Sequence, residues 1–183
     1  MYPWLRLART ALDRSGPGRV GIFETTTIRL RAWPNDLDIN MHVNNGRYLT
    51  LADLGRFDWF RRVGLWEVAK QRRVYPVIGD VTAKFRRELR AFERFELRTR
   101  LVGWDDRWGF LEHRFVRAGR TFCVVAIRGV FTGPGGTMRP AEFLGELGLG
   151  LDSPPLPPWA SHFHTAAEAI SETLRAEERA AQG

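Results

Sequence analysis

Apolar and polar residues alternate along the segment 24–33, where every second position belongs to one largely apolar set. The members of this set are Thr26, Ile28, Leu30 and Ala32. A period of two places such side chains on one face of a half-buried β-strand. The alternation returns over 81–86, 95–102 and 108–116, and the segment 121–131 is apolar on both faces, as in a central strand. The pattern predicts one strand, an interruption and then four consecutive antiparallel strands.

A helical periodicity fills the interruption. The segment Asn45–Val63 is apolar over more than half of a helical circumference, through Tyr48, Leu49, Leu51, Ala52, Leu54, Phe57, Trp59 and Phe60. A helix of this length spans about 28 Å. We expect it to be surrounded by other structure and to stop at Gly64. An α+β architecture, in which an antiparallel sheet curls around this one long central helix, accommodates both periodicities.

The two ends of the chain differ from this middle part. Residues 1–20 carry Trp4, Leu5, Ala8, Ala11 and Leu12 at helical spacing between arginines, before Ser15-Gly16-Pro17-Gly18 ends the helix. We expect this amphipathic segment to pack or fray, and weak membrane-surface contact through residues 1–15 stays an alternative. Beyond a short helix from Pro140 to Leu147, four prolines make an extended linker, followed by a charged, helix-prone tail from Thr165 to Ala181. The predicted organisation is an N-terminal segment 1–20, a domain 21–148 and a linker with tail 149–183.

Composition narrows the class of protein. The chain has 183 residues, of which 44% are hydrophobic, so it holds one globular domain with a full core. No apolar run approaches the roughly 20 residues of a membrane span. The net charge of +7 suits a phosphorylated or otherwise anionic partner, or only a solvated arginine-rich surface. No zinc-finger, recognition-helix or RNA-binding motif accompanies this charge, so we expect no nucleic acid partner.

Cysteine and histidine usage gives no sign of a metal centre. Cys123 is the only cysteine, which leaves no intramolecular disulfide or thiolate cluster and suits the cytoplasm. It lies in an apolar strand pattern and is expected to be a core residue. His162 and His164 form a His-x-His pair with no third ligand nearby in sequence, and we expect both to be solvated. The sequence therefore predicts no metal and no cofactor.

The candidate chemistry lies in the loop from Asp36 to Tyr48. Asp38, Asn40 and His42 follow one another at two-residue steps, immediately before the central helix. An asparagine at 44 or 45 can cap that helix, whose free N–H groups and positive dipole end then point at whatever the loop binds. A base or nucleophile beside such a helix end fits a reaction that develops an oxyanion. The loop therefore predicts a catalytic site.

The same loop carries a family resemblance. From Arg31 to Tyr48 the chain reads Arg-x-Trp-Pro-x-Asp-Leu-Asp-x-Asn-x-His-Val-Asn-Asn-x-x-Tyr and resembles the hotdog-fold acyl thioesterases. It is similar both to plant acyl-carrier-protein thioesterases and to the 4-hydroxybenzoyl-CoA-thioesterase-like (4HBT-like) group, which includes animal thioesterase-superfamily members. The resemblance covers roughly residues 22–147, with Phe85-Arg86-Arg87 and Gly103-Trp104-Asp105-Asp106 as further matches. It implies a hotdog fold.

The resemblance also implies roles for individual residues. Asp38 matches the acid that attacks the thioester carbonyl or activates water, and either role stays open. Asn40 and His42 match the residues that orient and share proton transfer in the carrier-protein enzymes. The backbone N–H of Asn45 matches the amide that polarises the carbonyl in the benzoyl-CoA group. The implied substrate is an acyl-CoA or acyl-carrier-protein thioester, and the implied assembly is a homodimer or homotetramer.

Other interpretations of these residues remain. Asp36 is better explained as a turn cap, and Asp53 with Arg56 as an ion pair within the helix, although hotdog enzymes also place catalytic acids there. Basic residues of the strands are candidate phosphate contacts: Lys84, Arg86, Arg87, Arg90, Arg94, Arg98 and Arg100. At the level of function, a hotdog enoyl hydratase or dehydratase and a catalytically weak acyl-binding protein are the alternatives to a thioester hydrolase.

Overall fold

A computed structural model describes residues 3–12, 18–148 and 152–182 of the chain. The helices are α1 (Trp4–Leu12), α2 (Asn45–Val63), α3 (Leu65–Arg72), α4 (Pro140–Gly145) and α5 (Pro158–Ala181). The strands are β1 (Thr26–Arg31), β2 (Tyr75–Phe85), β3 (Arg94–Trp104), β4 (Gly109–Arg117), β5 (Arg120–Gly133) and β6 (Gly136–Met138). A short 3₁₀ turn, Pro34–Asp36, follows β1.

The strands form one antiparallel sheet in the order β1-β3-β4-β5-β2, and β6 pairs with β5. Its inner face packs against α2, which buries side chains along its whole length. The two come closest at Gly55, where a Cβ atom would lie 2.3 Å from Thr99 Oγ1. The predicted α+β architecture, an antiparallel sheet wrapped around one long helix, is confirmed.

Both ends of α2 follow from local sequence. The Asn44 side chain accepts a hydrogen bond from the Gly46 N–H at 2.9 Å, which caps the first turn. Gly64 adopts φ of 89°, a left-handed conformation that glycine reaches without a Cβ clash. The predicted bounds of this helix are confirmed.

Two elements were not expected. The chain re-enters a helix directly after Gly64, because Leu65, Val68 and Ala69 fall at helical spacing and bury one face of α3 in the main core. Gly133 to Gly136, expected only to end β5, instead brackets a two-residue turn that folds β6 back along it. Both misses have one cause: a glycine that ends one element also permits the turn into the next.

The outer face of the sheet carries a smaller core beneath α5. Val102, Trp108 and Phe110 pack there with Ala160, and Ala167 is also buried. α5 begins at Pro158, seven residues ahead of the predicted tail helix, with proline in a first-turn position that needs no N–H donor. The first turns of α5 therefore help to stabilise the sheet. The domain boundary at residue 148 stays a prediction.

The structure corrects one expectation for α5. His164 is only partly solvated: its Nδ1 lies 3.2 Å from Arg128 Nη1 and 3.4 Å from Asp105 Oδ2. Arg128 is itself fully buried and also donates to Glu168 at 2.7 Å. His162 is exposed, as expected. The two histidines point to different environments because a helix turns by about 200° over two residues.

The N-terminal segment is a helix over Trp4–Leu12, as its spacing predicts, while Ser15, Gly16 and Pro17 of the predicted stop lie outside the described residues. Among the helices in the described ranges, none has the length and hydrophobicity needed to cross a bilayer.

Candidate active site

The loop after β1 is a compact turn. Leu37 and Val43 pair as an isolated antiparallel bridge, and the Asp38 N–H donates to the His42 carbonyl at 3.0 Å. Met41 closes the turn in a left-handed conformation, with φ of 61°, and its N–H donates to the Asp38 carbonyl at 3.0 Å. These bonds fix the backbone on both sides of the Asp38 side chain.

Asp36 is the structural anchor of the loop. Its fully buried carboxylate accepts from Arg6 Nη2 at 2.5 Å, from Arg47 Nε at 2.6 Å and from the Trp33 N–H at 2.8 Å. Burial alone would raise its pKa, but the hydrogen bonds from Arg6, Trp33 and Arg47 outweigh it, so the pKa is lowered. Asp36 therefore caps the turn, as expected from the sequence, and it also forms ion pairs with two arginines.

The structure brings Asp38 and His42 together. His42 Nδ1 lies 3.7 Å from Asp38 Oδ1, and both side chains are about three-quarters buried. The same Oδ1 accepts the backbone N–H of Asn40 at 2.9 Å. Asn40 therefore orients Asp38 through its main chain, whereas its side chain is exposed. The catalytic roles of the three residues stay predictions.

The helix end lies on the same piece of chain. The Asn44 N–H donates to the Asp36 carbonyl at 2.9 Å, which ties the start of α2 to the buried anchor. Within the first turn, the Gly46 N–H donates to the Asn44 side chain, and the Arg47 N–H donates to the Asn44 carbonyl. Asn45, the first helical residue, carries one of the amides that a helix cannot pair internally. This amide is the predicted oxyanion donor, a role that stays a prediction.

The connection from β2 to β3 forms a second wall of the site. The backbones of His42 and Arg90 form an isolated antiparallel β-bridge. The Val43 N–H donates to the carbonyl of the fully buried Leu89 at 2.8 Å. Exposed Arg86 and Arg87 lie on the same connection. These basic residues are candidate phosphate contacts from the sequence, but their position beside the loop was not predictable, because the pairing joins segments nearly fifty residues apart.

Two further candidates are accounted for by the structure. Asp53 is paired with Arg56 one helical turn away, so the expected ion pair is observed. Cys123 is fully buried, and burial raises the pKa of its thiol to about 12, which suits a core residue and not a nucleophile. In the described ranges, no three His, Cys, Asp or Glu side chains converge as metal ligands would.

Sequence reasoning missed a buried histidine and an apolar cavity. His113 Nδ1 lies 3.0 Å from Thr99 Oγ1 under α2, and burial together with Arg56 holds its pKa well below the usual range. The cavity lies at the C-terminal half of α2, between Trp59, Phe60 and Ile78. Fourteen residues separate Trp59 from Asn45, so about 21 Å of helix lies between them. We assign the cavity no role in the Asp38 site.

Comparison with known proteins agrees with this geometry. A family described as the thioesterase-like superfamily matches residues 32–164. Protein THEM6 of Danio rerio is 35% identical over 146 residues, which cover 78% of this chain and 70% of that protein. Protein THEM6 of Xenopus laevis is 46% identical over 83 residues, 45% of this chain and 40% of that protein. The matched parts thus span about two fifths of one of these curated relatives and about seven tenths of the other.

Solved structures show the same fold at low identity. The probable thioesterase YbaW of Escherichia coli superposes with a TM-score of 0.62 at 18% identity, covering 66% of this chain and 94% of that one. A mutant 4-hydroxybenzoyl-CoA thioesterase in complex with 4-hydroxybenzoyl-CoA superposes with a TM-score of 0.58 at 17% identity, covering 67% of this chain and 97% of that one. The sheet, the central helix and the matched residues 32–164 together lead to one conclusion: this chain is a hotdog-fold protein and belongs to the thioesterase-like superfamily.

Proposed function

We propose that this protein is an acyl thioesterase that hydrolyses the thioester of an acyl-CoA or acyl carrier protein. The observation that carries the proposal is the Asp38–His42 pair, held by backbone hydrogen bonds directly ahead of the start of α2. Thioester hydrolysis needs a base or nucleophile, a proton donor and an oxyanion site, and this piece of chain offers all three. Family membership supports the same reaction class.

Two routes fit these residues. In one, Asp38 takes a proton from water as the water oxygen bonds to the carbonyl carbon, the Asn45 N–H stabilises the oxyanion, and the C–S bond then breaks. In the other, the Asp38 carboxylate attacks the carbonyl carbon and releases the thiolate, and water hydrolyses the resulting anhydride. In the first route, His42 passes the proton from Asp38 to the departing sulfur. In the second, the sulfur leaves as thiolate, and His42 takes the proton from the water that hydrolyses the anhydride and passes it to that thiolate. No cofactor is required, since coenzyme A is part of the substrate.

The basic connection between β2 and β3 is the proposed contact for the donor's phosphates. Arg86, Arg87 and Arg90 lie on the segment that pairs with the loop at His42 and Val43. Guanidinium groups bind phosphate with charge-assisted hydrogen bonds. Of the other basic candidates, Arg98 and Arg100 are paired with Glu96 and Glu112, which makes them weaker candidates.

A homo-oligomer joined through β2 is part of the proposal. In the described structure β2 pairs only with β5, so one edge of this eleven-residue strand is open. Val81 and Phe85 are exposed there, and the Phe85 ring lies 5.5 Å from that of Tyr48 in the first turns of α2. Pairing of two copies along this edge would cover it and bring the second copy beside the Asp38 loop.

The deciding experiment is thiol release from a panel of acyl-CoAs by wild type and Asp38→Asn. We expect a loss of at least about a hundredfold in kcat for the variant, the usual scale for removing a general base. Asp106→Asn, an exposed turn position, is the matched control and should retain full activity. An unchanged rate in Asp38→Asn would remove this carboxylate from the mechanism.

The alternatives differ in what the same panel would show. Hydration of an enoyl-CoA without thiol release would identify a hydratase or dehydratase. Tight acyl-CoA binding without turnover would identify an acyl-binding protein. The cytoplasm stays the proposed compartment, on the ground that Cys123 is a buried free thiol.

A further inference from the structure

Helix α1 exposes its apolar side. Trp4, Leu5 and Leu12 are 67%, 88% and 78% exposed, and Ala8 and Ala11 are exposed between them. At about 100° per residue these five positions share one arc of roughly 120°. The opposite side of α1 faces the protein, where Thr10 is buried and Arg6 pairs with Asp36. The helix therefore contacts the protein through Arg6, Thr10 and the partly buried Leu7, and it presents an apolar stripe to solvent.

An arginine groove begins at the edge of this stripe. It is lined by residues of α1, β1, β3 and β4, and its lining includes one carboxylate, Glu96. Besides Arg6, its basic lining residues are Arg9, Arg29, Arg31, Arg94, Arg98 and Arg117. Arg9 lies next to the stripe on the helical wheel, about 40° beyond Leu5. The apolar stripe and the cationic groove are thus continuous.

The charge of the groove is poorly compensated from within. Arg98 pairs with Glu96 and Arg117 with Glu93, while Arg9, Arg29 and Arg94 have no ion pair among the described residues. Arg31 and Arg94 are directly opposed across β1 and β3, whereas Arg29 is opposed to Glu96. Arg98 and Arg114 also face each other, but each pairs with a glutamate. Like charges directly opposite each other destabilise a sheet, so an external anion would relieve the repulsion.

We propose that the stripe and the groove form one docking surface for an anionic lipid bilayer. A helix with Trp and Leu on one face and Arg at its border is suited to lie in the interface, with its apolar face in the lipid and its guanidinium groups on the headgroups. An acidic protein partner would account for the groove but leaves the stripe unexplained. This inference goes beyond thioester hydrolysis and stands without it. Through the Arg6–Asp36 pair, the surface is joined to the loop that carries Asp38.

The test is co-sedimentation of the full chain with phosphatidylcholine vesicles, with and without phosphatidylglycerol. We expect binding only to the anionic vesicles and release at high salt. Leu5→Ser/Leu12→Ser and Arg9→Gln/Arg29→Gln should each weaken binding. For the arginine pair we expect about a twentyfold to thirtyfold fall in the partition coefficient, since one arginine at such a surface contributes about fivefold.

Matched controls are on α5. Ile170→Ser/Leu174→Ser removes the same kind of exposed side chain, and Arg175→Gln/Arg179→Gln removes the same net charge. Both should bind like wild type. Equal binding to uncharged vesicles, no binding to either, or equal loss in the α5 variants would overturn the proposal. We expect Leu5→Ser/Leu12→Ser to hydrolyse a short-chain acyl-CoA at the wild-type rate when no vesicles are present. This measurement tests the thioesterase proposal separately from membrane binding.

Discussion

At the scale of single residues, two neighbouring carboxylates of one loop have different environments. Asp36 is fully buried between Arg6 and Arg47, whereas Asp38 keeps about a fifth of its side-chain surface and has one backbone donor. A carboxylate tied up by two guanidinium groups is a poor base, because those groups stabilise its charged form. The structure therefore separates the residue that holds the loop from the residue available to react.

This difference gives a test by pH. Asp36→Asn should destabilise the protein by about 3 kcal/mol near neutrality, because it removes the negative charge that Arg6 and Arg47, both largely buried, share. The pKa of Asp36 is lowered from its ordinary 3.8, so its stabilisation is present above that pH and is lost as the pH falls through the folded-state pKa. Urea unfolding should therefore show the difference in unfolding free energy between wild type and variant shrinking as the pH falls below 3.8. A constant gap between pH 7 and pH 3 would contradict the ion-pair explanation.

Residue-scale predictions from sequence succeeded where partners are close in the chain. Asp53 with Arg56 and Asn44 with Gly46 were recognisable because helix and cap geometry fix such short separations. His164 was misjudged because its partners, Arg128 and Asp105, are brought to it only by the docking of α5. The Arg6–Asp36 pair, thirty residues apart, was missed for the same reason.

At the scale of elements, the approach of α2 to β3 depends on one missing side chain. Gly55→Ala would place a Cβ 2.3 Å from Thr99 Oγ1 and 3.0 Å from Leu97 Cδ2. Thr99 has little freedom to move, since it is fully buried and bonded to His113. We expect a loss of about 1–3 kcal/mol in unfolding free energy, against the gain of up to about 1 kcal/mol that alanine gives in an open helix.

Gly145→Ala is the control for this prediction, because nothing lies within 4 Å of a Cβ at that position. Chemical denaturation of both variants gives the comparison. If Gly55→Ala were as stable as wild type, α2 would have to sit farther from the sheet than described. The close approach was not predictable from sequence, where glycine in an apolar helix pattern looks only like a weak helix former.

At the scale of the whole molecule, the open edge of β2 is the clearest incomplete feature. Its position was not predictable, because alternation reveals strands but not their order, and β2 follows α3 in sequence yet lies at the far side of the sheet from β1. The basic groove was missed likewise, since its arginines come from four separate elements.

The proposed oligomer can be tested on this edge. Val81→Lys places a charge on β2, a device that prevents strands from pairing edge to edge. We expect wild type to be at least dimeric by light scattering and Val81→Lys to have a lower mass. Leu174→Lys, on the exposed part of α5, should leave the mass unchanged. A monomeric wild type, or equal masses for wild type and Val81→Lys, would show that this edge does not join two copies.

The packing of α5 on the outer face has a consequence for truncation. This helix covers Trp108 and Phe110, and its Glu168 carboxylate pairs with the buried Arg128. A chain cut by a protease before Pro158 would keep the loop and the central helix. It would, however, expose a hydrophobic patch on the outer face of the sheet. Such a fragment should aggregate on storage and not merely lose activity, so shortened versions made for crystallisation should retain α5 at least through Glu168.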